Sequence, residues 1–234
     1  MESVNEKAKQ FWSGDGGDFW VENQNDLDVT LAPLGEAALK KLNLLSCSSV
    51  LDIGCGTGRT TIDIAKSLGA DGKATGLDIS EPMLQKAKML AKSEEVENVG
   101  FACVDVQVES LGDVVFDAAF SRFGVMFFED PMEAFSNIHN ALSATGALSF
   151  VCWQSPAVNP WHALSIEVVT EYIDIPKPPP RSPSPFAFQE RDYVEEILVT
   201  AGFRNIEIMS LEKKTVWFNG KDPNCAASSY LSIN

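Results

Sequence analysis

The run of nine residues from Val50 to Gly58 limits the possible folds of this chain more than any other segment. It begins as a short apolar stretch with a carboxylate, Asp52, and continues with glycines at positions 54, 56 and 58. The apolar stretch predicts a buried strand, and the residues after it predict a helix. Glycine accepts the backbone angles of a tight strand-to-helix turn and lets a ligand lie against bare backbone. We therefore predict a small-molecule site at Gly54, Gly56 and Gly58.

A second carboxylate follows at an informative distance. A predicted helix and turn lead to a strand over residues 73–78 that ends in Asp78, 20 residues after Gly58. In a βαβ unit, an acid at about this distance binds the ribose hydroxyls of an adenosine. Dinucleotide sites usually read G-x-G-x-x-G, whereas this chain reads G-x-G-x-G. The glycine spacing therefore argues against an NAD-type oxidoreductase, an alternative that a lack of stabilisation by nicotinamide nucleotides would exclude.

Strand-like and helix-like segments alternate along the chain. Strand-like runs cover 48–53, 73–78, 98–104, 114–120 and 146–153, and helix-like stretches cover 57–68, 80–92, 106–111 and 130–143. The alternation predicts an α/β fold with a parallel, doubly wound, Rossmann-like sheet. Ligands bind such sheets outside the carboxyl ends of the strands. Asp52, Asp78, Asp105 and Ser121 all fall at those ends.

Together these segments resemble the class I S-adenosylmethionine (SAM)-dependent methyltransferases. The likeness is to the small-molecule branch, similar to the ubiquinone and menaquinone biosynthesis enzymes, with a methyltransferase type 11/25 domain. Residues 51–58 match the first motif of the family, and residues 76–80, followed by 82–84 and Ala87, match the second. Residues 101–107, 116–121 and 131–146 resemble later motifs. The resemblance runs from about residue 48 to residue 153.

The resemblance implies a site for SAM and for its product, S-adenosylhomocysteine (SAH). Asp52 would attract the α-amino group directly or through water, and Asp78 would accept from both ribose hydroxyls. Asp105 would accept from the adenine amine, while backbone N–H groups such as that of Val106 would meet the ring nitrogens. The alternative for Asp105 is a capping role in the short helix that follows it. The remaining expected cofactor contacts are Ile79, Met83, Ser121 and Trp20.

The resemblance also implies a domain organisation. Residues 1–46 would form an N-terminal helical arm or lid, and residues 47–153 the SAM-binding core. Residues 154–188 would form a cap insert with a proline-rich loop. Residues 189–234 would supply a helix at 189–201 and strands at 204–211 and 213–218. In the family, those two strands form an antiparallel hairpin that completes a seven-stranded sheet.

The arm and the cap insert bear on the acceptor. Trp20 lies in the arm, where it either approaches the cofactor or anchors the arm to the core. We expect an apolar acceptor pocket lined by Phe123, Met126, Phe127, Trp153 and Trp161, with core packing as the alternative. His162 is the candidate general base, which the reaction needs only if the acceptor arrives protonated.

The composition of the chain argues against several classes of binding partner. A net charge of −15, from 18 Lys and Arg against 33 Asp and Glu, argues against a nucleic-acid substrate. The five cysteines show no metal-type pairing, so we expect no metal site and reduced thiols in a cytoplasmic protein. The chain begins with polar and charged residues, so we expect no secretory signal. It has no apolar run long enough to cross a membrane, so we expect no membrane partner. We expect a monomer or homodimer with a small-molecule acceptor.

The leading interpretation is an enzyme that transfers a methyl group from SAM to a small, apolar or aromatic acceptor at O, N or C. The alternative is a SAM-binding regulatory or assembly protein without methyltransferase activity. Stabilisation by SAM and SAH followed by a turnover assay distinguishes the two.

Overall fold

The structure is a computed structural model that describes residues 5–111, 115–172, 174, 178–216 and 220. Three helices come first: α1 (Glu6–Ser13), α2 (Asp15–Glu22) and α3 (Gln24–Leu39). The elements that follow are β1 (Ser49–Ile53), α4 (Arg59–Ser67), β2 (Lys73–Asp78), α5 (Glu81–Ser93), β3 (Val99–Cys103), β4 (Phe116–Arg122), α6 (Pro131–Ala141), β5 (Leu142–Val151), α7 (Pro160–Val169) and α8 (Arg191–Thr200).

The five strands form one parallel sheet in the order β3-β2-β1-β4-β5. The chain builds outward from β1 to β3 and then crosses back to place β4 on the other side of β1. This reversal opens a crevice beyond the carboxyl ends of β1 and β4, where sheets of this type bind their ligands. The predicted α/β, Rossmann-like architecture is confirmed.

Strand β1 is buried on both faces, which explains its apolar sequence. Val50 packs in one hydrophobic cluster with Ile64 of α4, whereas Leu51 and Ile53 belong to the larger cluster that includes Ile138 of α6. Because side chains alternate along a strand, Asp52 projects to the same face as Val50 and points toward α4. This placement buries a carboxylate at the ligand-binding end of the sheet.

The end of the chain differs from the expected closing hairpin. The structure describes five strands instead of seven, and its residues 204–216 contain no strand, while 217 and 218 lie outside the described residues. Ile206 and Ile208 pack against the large core cluster, and further on the Thr30 hydroxyl of α3 donates to the Val216 carbonyl at 2.9 Å. The alternating apolar pattern is thus satisfied by side-chain burial without a ladder of strand pairs. The helix expected at 106–111 is likewise only a turn, in which the N–H groups of Val108 and Glu109 donate to the Asp105 carbonyl.

The N-terminal arm is attached to the sheet by a largely buried ion pair. Arg122, at the end of β4, donates to Asp28 of α3 at 2.6 Å, and their side chains are only 10% and 14% exposed. On the same helix, the Ala38 carbonyl accepts from the Ser149 hydroxyl of β5 at 2.8 Å. These contacts place α3 across the edge of the sheet, next to the ligand-binding end of β4.

We expect Asp28→Ala to lower the free energy of unfolding by about 3 kcal/mol, because it leaves the Arg122 guanidinium buried without its partner. Urea denaturation measures the loss. The matched control is Glu36→Ala on the same helix, since the Glu36 side chain is 65% exposed and pairs with Lys40 at 4.0 Å. That variant should lose no more than about 0.5 kcal/mol. Equal losses in the two variants would contradict the structural role of the Asp28 pair.

Candidate functional site

The glycine turn between β1 and α4 has a positive φ at each of its three glycines: 63° at Gly54, 54° at Gly56 and 83° at Gly58. Their surroundings differ. A Cβ on Gly54 would lie 2.8 Å from the Gly124 Cα, and one on Gly58 would lie 2.6 Å from the Ala87 Cβ. A Cβ on Gly56 would approach only the Met83 sulfur, at 3.8 Å. Gly54 and Gly58 therefore allow protein segments to pack closely, and Gly56 is the position that leaves space.

Asp52 is a buried carboxylate with one oxygen satisfied and one unpartnered. Its Oδ2 accepts from the hydroxyls of Thr60 and Thr61 at 2.6 and 2.7 Å, whereas Oδ1 has no hydrogen-bond partner in the part of the chain that the structure describes. Burial raises the pKa of Asp52 to about 6, against the lowering effects of the two hydroxyls and of Arg122. An unpartnered buried carboxylate oxygen is costly, and a cationic ligand group would satisfy it.

Asp78 holds the glycine turn in place. Its Oδ2 accepts from the Gly56 N–H at 2.8 Å, and its Oδ1 accepts from the Ser80 N–H at 2.9 Å. Burial raises the pKa of Asp78, and these backbone N–H groups oppose the rise. Each carboxylate oxygen can accept more than one hydrogen bond, so Asp78 keeps capacity for hydroxyl donors. The second carboxylate predicted from the sequence thus lies directly against the glycine turn.

Asp105 has a partner that the sequence did not suggest. The Asn5 side-chain amide donates to both Asp105 carboxylate oxygens at 2.9 Å, and the Gln107 N–H also donates to Oδ1 at 3.1 Å. The local capping role is therefore present, beside a contact between residues one hundred positions apart. A cavity of about 200 Å³ adjoins this pair, and its other lining residues are Lys9, Ile79, Cys103, Val108 and Glu109.

The remaining expected cofactor residues are distributed around the crevice. Ile79 lines the cavity next to Asp105, and buried Met83 lies beside Gly56. The Ser121 hydroxyl donates to the Ile53 carbonyl at 2.8 Å and accepts from the Gly124 N–H, which ties the ends of β1 and β4 together. The side chains of Val106 and Trp20 pack in or against the large core cluster. Their cofactor roles stay predictions.

The arm also reaches the glycine turn directly. The Gln24 side-chain amide donates to the Thr57 carbonyl at 3.3 Å, and the Ser80 hydroxyl donates to the Trp12 carbonyl at 2.6 Å. Neither contact has a periodic signature in the sequence. Helices α1 and α3 of the arm thus contact the glycine turn and Ser80, and the role of the arm as a lid stays a prediction.

Three of the five expected acceptor-pocket residues form an aromatic cluster. Phe123 stacks on Trp153 with ring centroids 4.4 Å apart, and Trp153 contacts Trp161 of α7 at 5.1 Å. Phe127 instead packs edge-on against Trp12 of the arm at 5.0 Å, and Met126 is only 1% exposed. The structure brings Phe123, Trp153 and Trp161 together, while Met126 serves the core.

His162 follows Trp161 in α7 and lies against the Trp161 and Phe186 rings. Its imidazole is 4.6 Å from the Phe186 ring and 5.4 Å from the Trp161 ring, measured between centroids. Partial burial lowers the pKa of His162, so the neutral imidazole predominates near neutral pH. A neutral imidazole can accept a proton, as a general base must.

The described residues include neither a metal-site cluster nor a membrane-spanning helix. No group of three or more His, Cys, Asp or Glu side chains in that part of the chain has the arrangement of a metal site. Among the helices that the structure describes, none has the length and apolar character needed to cross a bilayer.

The chain is similar to known proteins over part of its length. Residues 50–146 match the Methyltransferase domain family. The demethylmenaquinone methyltransferase of Lactococcus lactis subsp. lactis is 32% identical over 108 residues, which are 46% of this chain and 43% of that enzyme. An O-methyltransferase of Pyrenophora dematioidea is 25% identical over 206 residues, covering 83% of this chain and 70% of that protein.

A solved structure supports the fold. The crystal structure of a SAM-dependent methyltransferase from Aquifex aeolicus has a TM-score of 0.52 at 20% identity, covering 76% of this chain and 82% of that one. The fold is thus Rossmann-like, and residues 50–146 within it match a methyltransferase domain family. The chain is therefore similar to known methyltransferases over parts of its length, and to one of them in fold. Its match spans less than half of the Lactococcus enzyme.

Proposed function

We propose that this protein transfers a methyl group from SAM to a small, apolar or aromatic acceptor at O, N or C. The observation that carries the proposal is the unpartnered Oδ1 of Asp52, a buried carboxylate oxygen beside the glycine turn. An oxygen of this kind fits an ammonium group, and SAM carries one. Asp78 and Asp105 add further acceptors at the ends of β2 and β3, which suits the hydroxyls and the amine of an adenosine.

The residues present fit the cofactor. Asp52 would hold its amino group, Asp78 its ribose hydroxyls and Asp105 its adenine amine, while Gly56 leaves room beside Met83. The other residues proposed to contact it are Ile79, Ser121, Trp20 and the backbone N–H of Val106. When bound, SAM supplies an electrophilic methyl group on a sulfonium. The chain then has to orient the acceptor and exclude water, because proximity in a dry pocket supplies much of the rate.

The aromatic cluster is the proposed acceptor site. Phe123 follows β4 directly and adjoins Gly124, which lies against Gly54, so this cluster adjoins the glycine turn. Trp153 and Trp161 extend its apolar surface toward the cap insert. The names of two relatives, a demethylmenaquinone methyltransferase and an O-methyltransferase, support an acceptor of this chemical class. The arm at 1–46 and the insert at 154–188 would cover the reacting groups.

The acidic balance supports a small acceptor over a nucleic acid. With 33 acidic against 18 basic side chains, the surface would repel a phosphate backbone. We further propose that the protein acts in the cytoplasm, as a monomer or homodimer.

Isothermal titration calorimetry with SAM and SAH tests the proposal, followed by a turnover assay on a panel of phenols, quinols and amines. We expect micromolar binding of both nucleosides, no binding of NAD, and SAH formation with at least one apolar ring acceptor. Binding without any turnover would favour the regulatory alternative. Intact protein that binds neither SAM nor SAH would overturn the proposal.

The proposed role of His162 as a general base can be tested separately. If it removes a proton from the acceptor, His162→Gln should lower kcat by about 100-fold, within the usual range for general-base catalysis. The effect should shrink as pH rises, because more of the acceptor is then already deprotonated. The control is His139→Gln, since His139 packs against Phe203 instead of the aromatic cluster. Full turnover of the His162 variant would remove the residue from the mechanism.

A further inference from the structure

Asn5 stands at the start of α1 but does not cap it. Asparagine at an N-cap normally accepts a hydrogen bond from the backbone N–H two or three residues further along the helix. Here Asn5 makes no side-chain cap bond, although its backbone carbonyl accepts the first helical hydrogen bond, from the Lys9 N–H at 2.9 Å. Its side chain is instead committed to Asp105.

The Asn5 amide nitrogen meets Asp105 as an aromatic amine would. It is a planar –NH2 group, and it lies 2.9 Å from each of the two carboxylate oxygens. The exocyclic amine of adenine is also a planar –NH2 donor with two hydrogens. Asn5 is only 6% exposed, so this contact is enclosed by protein. Although each oxygen can accept a second hydrogen bond, an adenine amine that approaches both oxygens would have to occupy the place of the Asn5 amide.

We propose that Asn5 is an internal competitor of the cofactor: in the ligand-free protein it closes the adenine end of the crevice, and it must leave Asp105 when the nucleoside binds. This inference rests on the proposed function, because it takes Asp105 as the acceptor for adenine. It concerns the arm of this chain and predicts that cofactor affinity is limited by the arm.

The size of the cavity agrees with a closed state, by which we mean the arrangement in which Asn5 is bound to Asp105. The space adjoining Asn5 and Asp105 is about 200 Å³, whereas sites for small organic ligands usually hold about 300–1,000 Å³. Moving Asn5 away would add the volume of its side chain to this space. It would also remove the Asn5 donor from both oxygens of Asp105, leaving Oδ2 free and Oδ1 with the Gln107 N–H.

The closed state is weakly held, as a displaceable segment requires. Helix α1 has no fully buried residue, and its ring contact with a residue packed on the core is that of Trp12 with Phe127. The Asn5 Oδ1 is buried and has no hydrogen-bond partner among the described residues, which costs free energy while the contact lasts. Once released, that oxygen can accept from the first-turn N–H groups of α1 as an ordinary N-cap. The same side chain thus has two alternative uses, and the released one satisfies the atom that closure leaves unpaired.

The arm makes further contacts that would move with Asn5. The Trp12 carbonyl accepts from the Ser80 hydroxyl, two residues after Asp78, and the Trp12 ring packs on Phe127. Displacing α1 for the adenine would therefore also loosen the arm beside the proposed ribose and acceptor sites. Cofactor entry and opening of the crevice become one event.

The experiment compares SAH binding by the wild-type full chain, Asn5→Ala and Gln10→Ala, using calorimetry. Gln10 is the matched control, because it lies on α1 and its side-chain amide donates to Glu6 of the same helix, at 3.3 Å. Removing a competing hydrogen bond to a carboxylate should lower the Kd of Asn5→Ala about tenfold, while Gln10→Ala keeps the wild-type value. Hydrogen exchange of residues 6–22 in the ligand-free protein should rise in Asn5→Ala alone.

The outcomes separate the two proposals. Binding by all three proteins, with Asn5→Ala no tighter than the wild type, would overturn the competitor role and leave the proposed function intact. Weaker binding by Asn5→Ala would likewise overturn it, since Asn5 would then support the cofactor. No SAH binding by any folded variant would overturn the proposed function itself.

Discussion

Replacing Gly54 with alanine is expected to lower the free energy of unfolding by about 3 kcal/mol, from positive-φ strain and overpacking together. The φ of 63° is unfavourable for an L side chain, and the new Cβ would lie 2.8 Å from the Gly124 Cα. The obstructing atom is backbone, so no change of rotamer can relieve the clash. The turn must shift, and because Asp78 binds the Gly56 N–H, SAH affinity should fall as well. Chemical denaturation and calorimetry measure the two effects.

Two glycine variants serve as controls for Gly54→Ala. Gly56→Ala has a similar φ of 54° but meets only the flexible Met83 side chain, so it should show the strain without the clash. Gly69→Ala has no heavy atom within 4 Å of its new Cβ and should leave stability and binding almost unchanged. If Gly54→Ala and Gly69→Ala were equally stable, the close packing of the two backbone turns would be disproved.

The glycine turn and its two acids were predictable because their signals are local. A strand, a turn and a helix follow one another within residues 50–68, and the second acid lies at the fixed offset of a βαβ unit. The positions of Asp52 and Asp78 at the sheet edge follow from parallel pairing of β1 and β2. The structure of a segment can be predicted from its sequence where the segment determines its own geometry.

The features that were missed depend on contacts between distant segments. Asn5 meets Asp105 across one hundred residues, and Asp28 meets Arg122 across ninety-four, with no periodic pattern to mark either pair. The structure does not show the predicted closing hairpin in its residues 204–216, for a related reason. Alternating apolar residues indicate that one face of a segment is buried. Which part of the protein covers that face is set by the tertiary fold, and here it is the large core cluster.

The two acids that were predicted share an electrostatic cost. Asp52 and Asp78 are both buried, burial raises the pKa of each, and the charge of Asp78 raises that of Asp52 further. A site that binds a cation has to hold negative charge before the cation arrives. Stability is therefore given up in the ligand-free protein, and the ligand restores it by binding only the folded state.

The pH dependence of this cost has a definite sign. The pKa of Asp52 is about 6 in the folded protein against an ordinary value of 3.8, so between these values the folded state binds more protons than the unfolded state. Stability due to Asp52 is fully present below pH 3.8 and is lost as the pH rises through 6. The loss amounts to about 3 kcal/mol, at 1.36 kcal/mol for each unit of pKa.

We expect Asp52→Asn to remove this loss, because the amide cannot ionise. Between pH 4 and pH 7, the variant should gain about 3 kcal/mol of stability relative to the wild type, measured by urea denaturation across the range. Its affinity for SAH at pH 7 should instead fall by about tenfold or more, since a charged hydrogen bond to the ligand is lost. Asp71→Asn, at an exposed position, should run parallel to the wild type in both measurements. Parallel stability curves for Asp52→Asn and the wild type would show that Asp52 is not held at a raised pKa, and unchanged SAH affinity would remove it from the cofactor site.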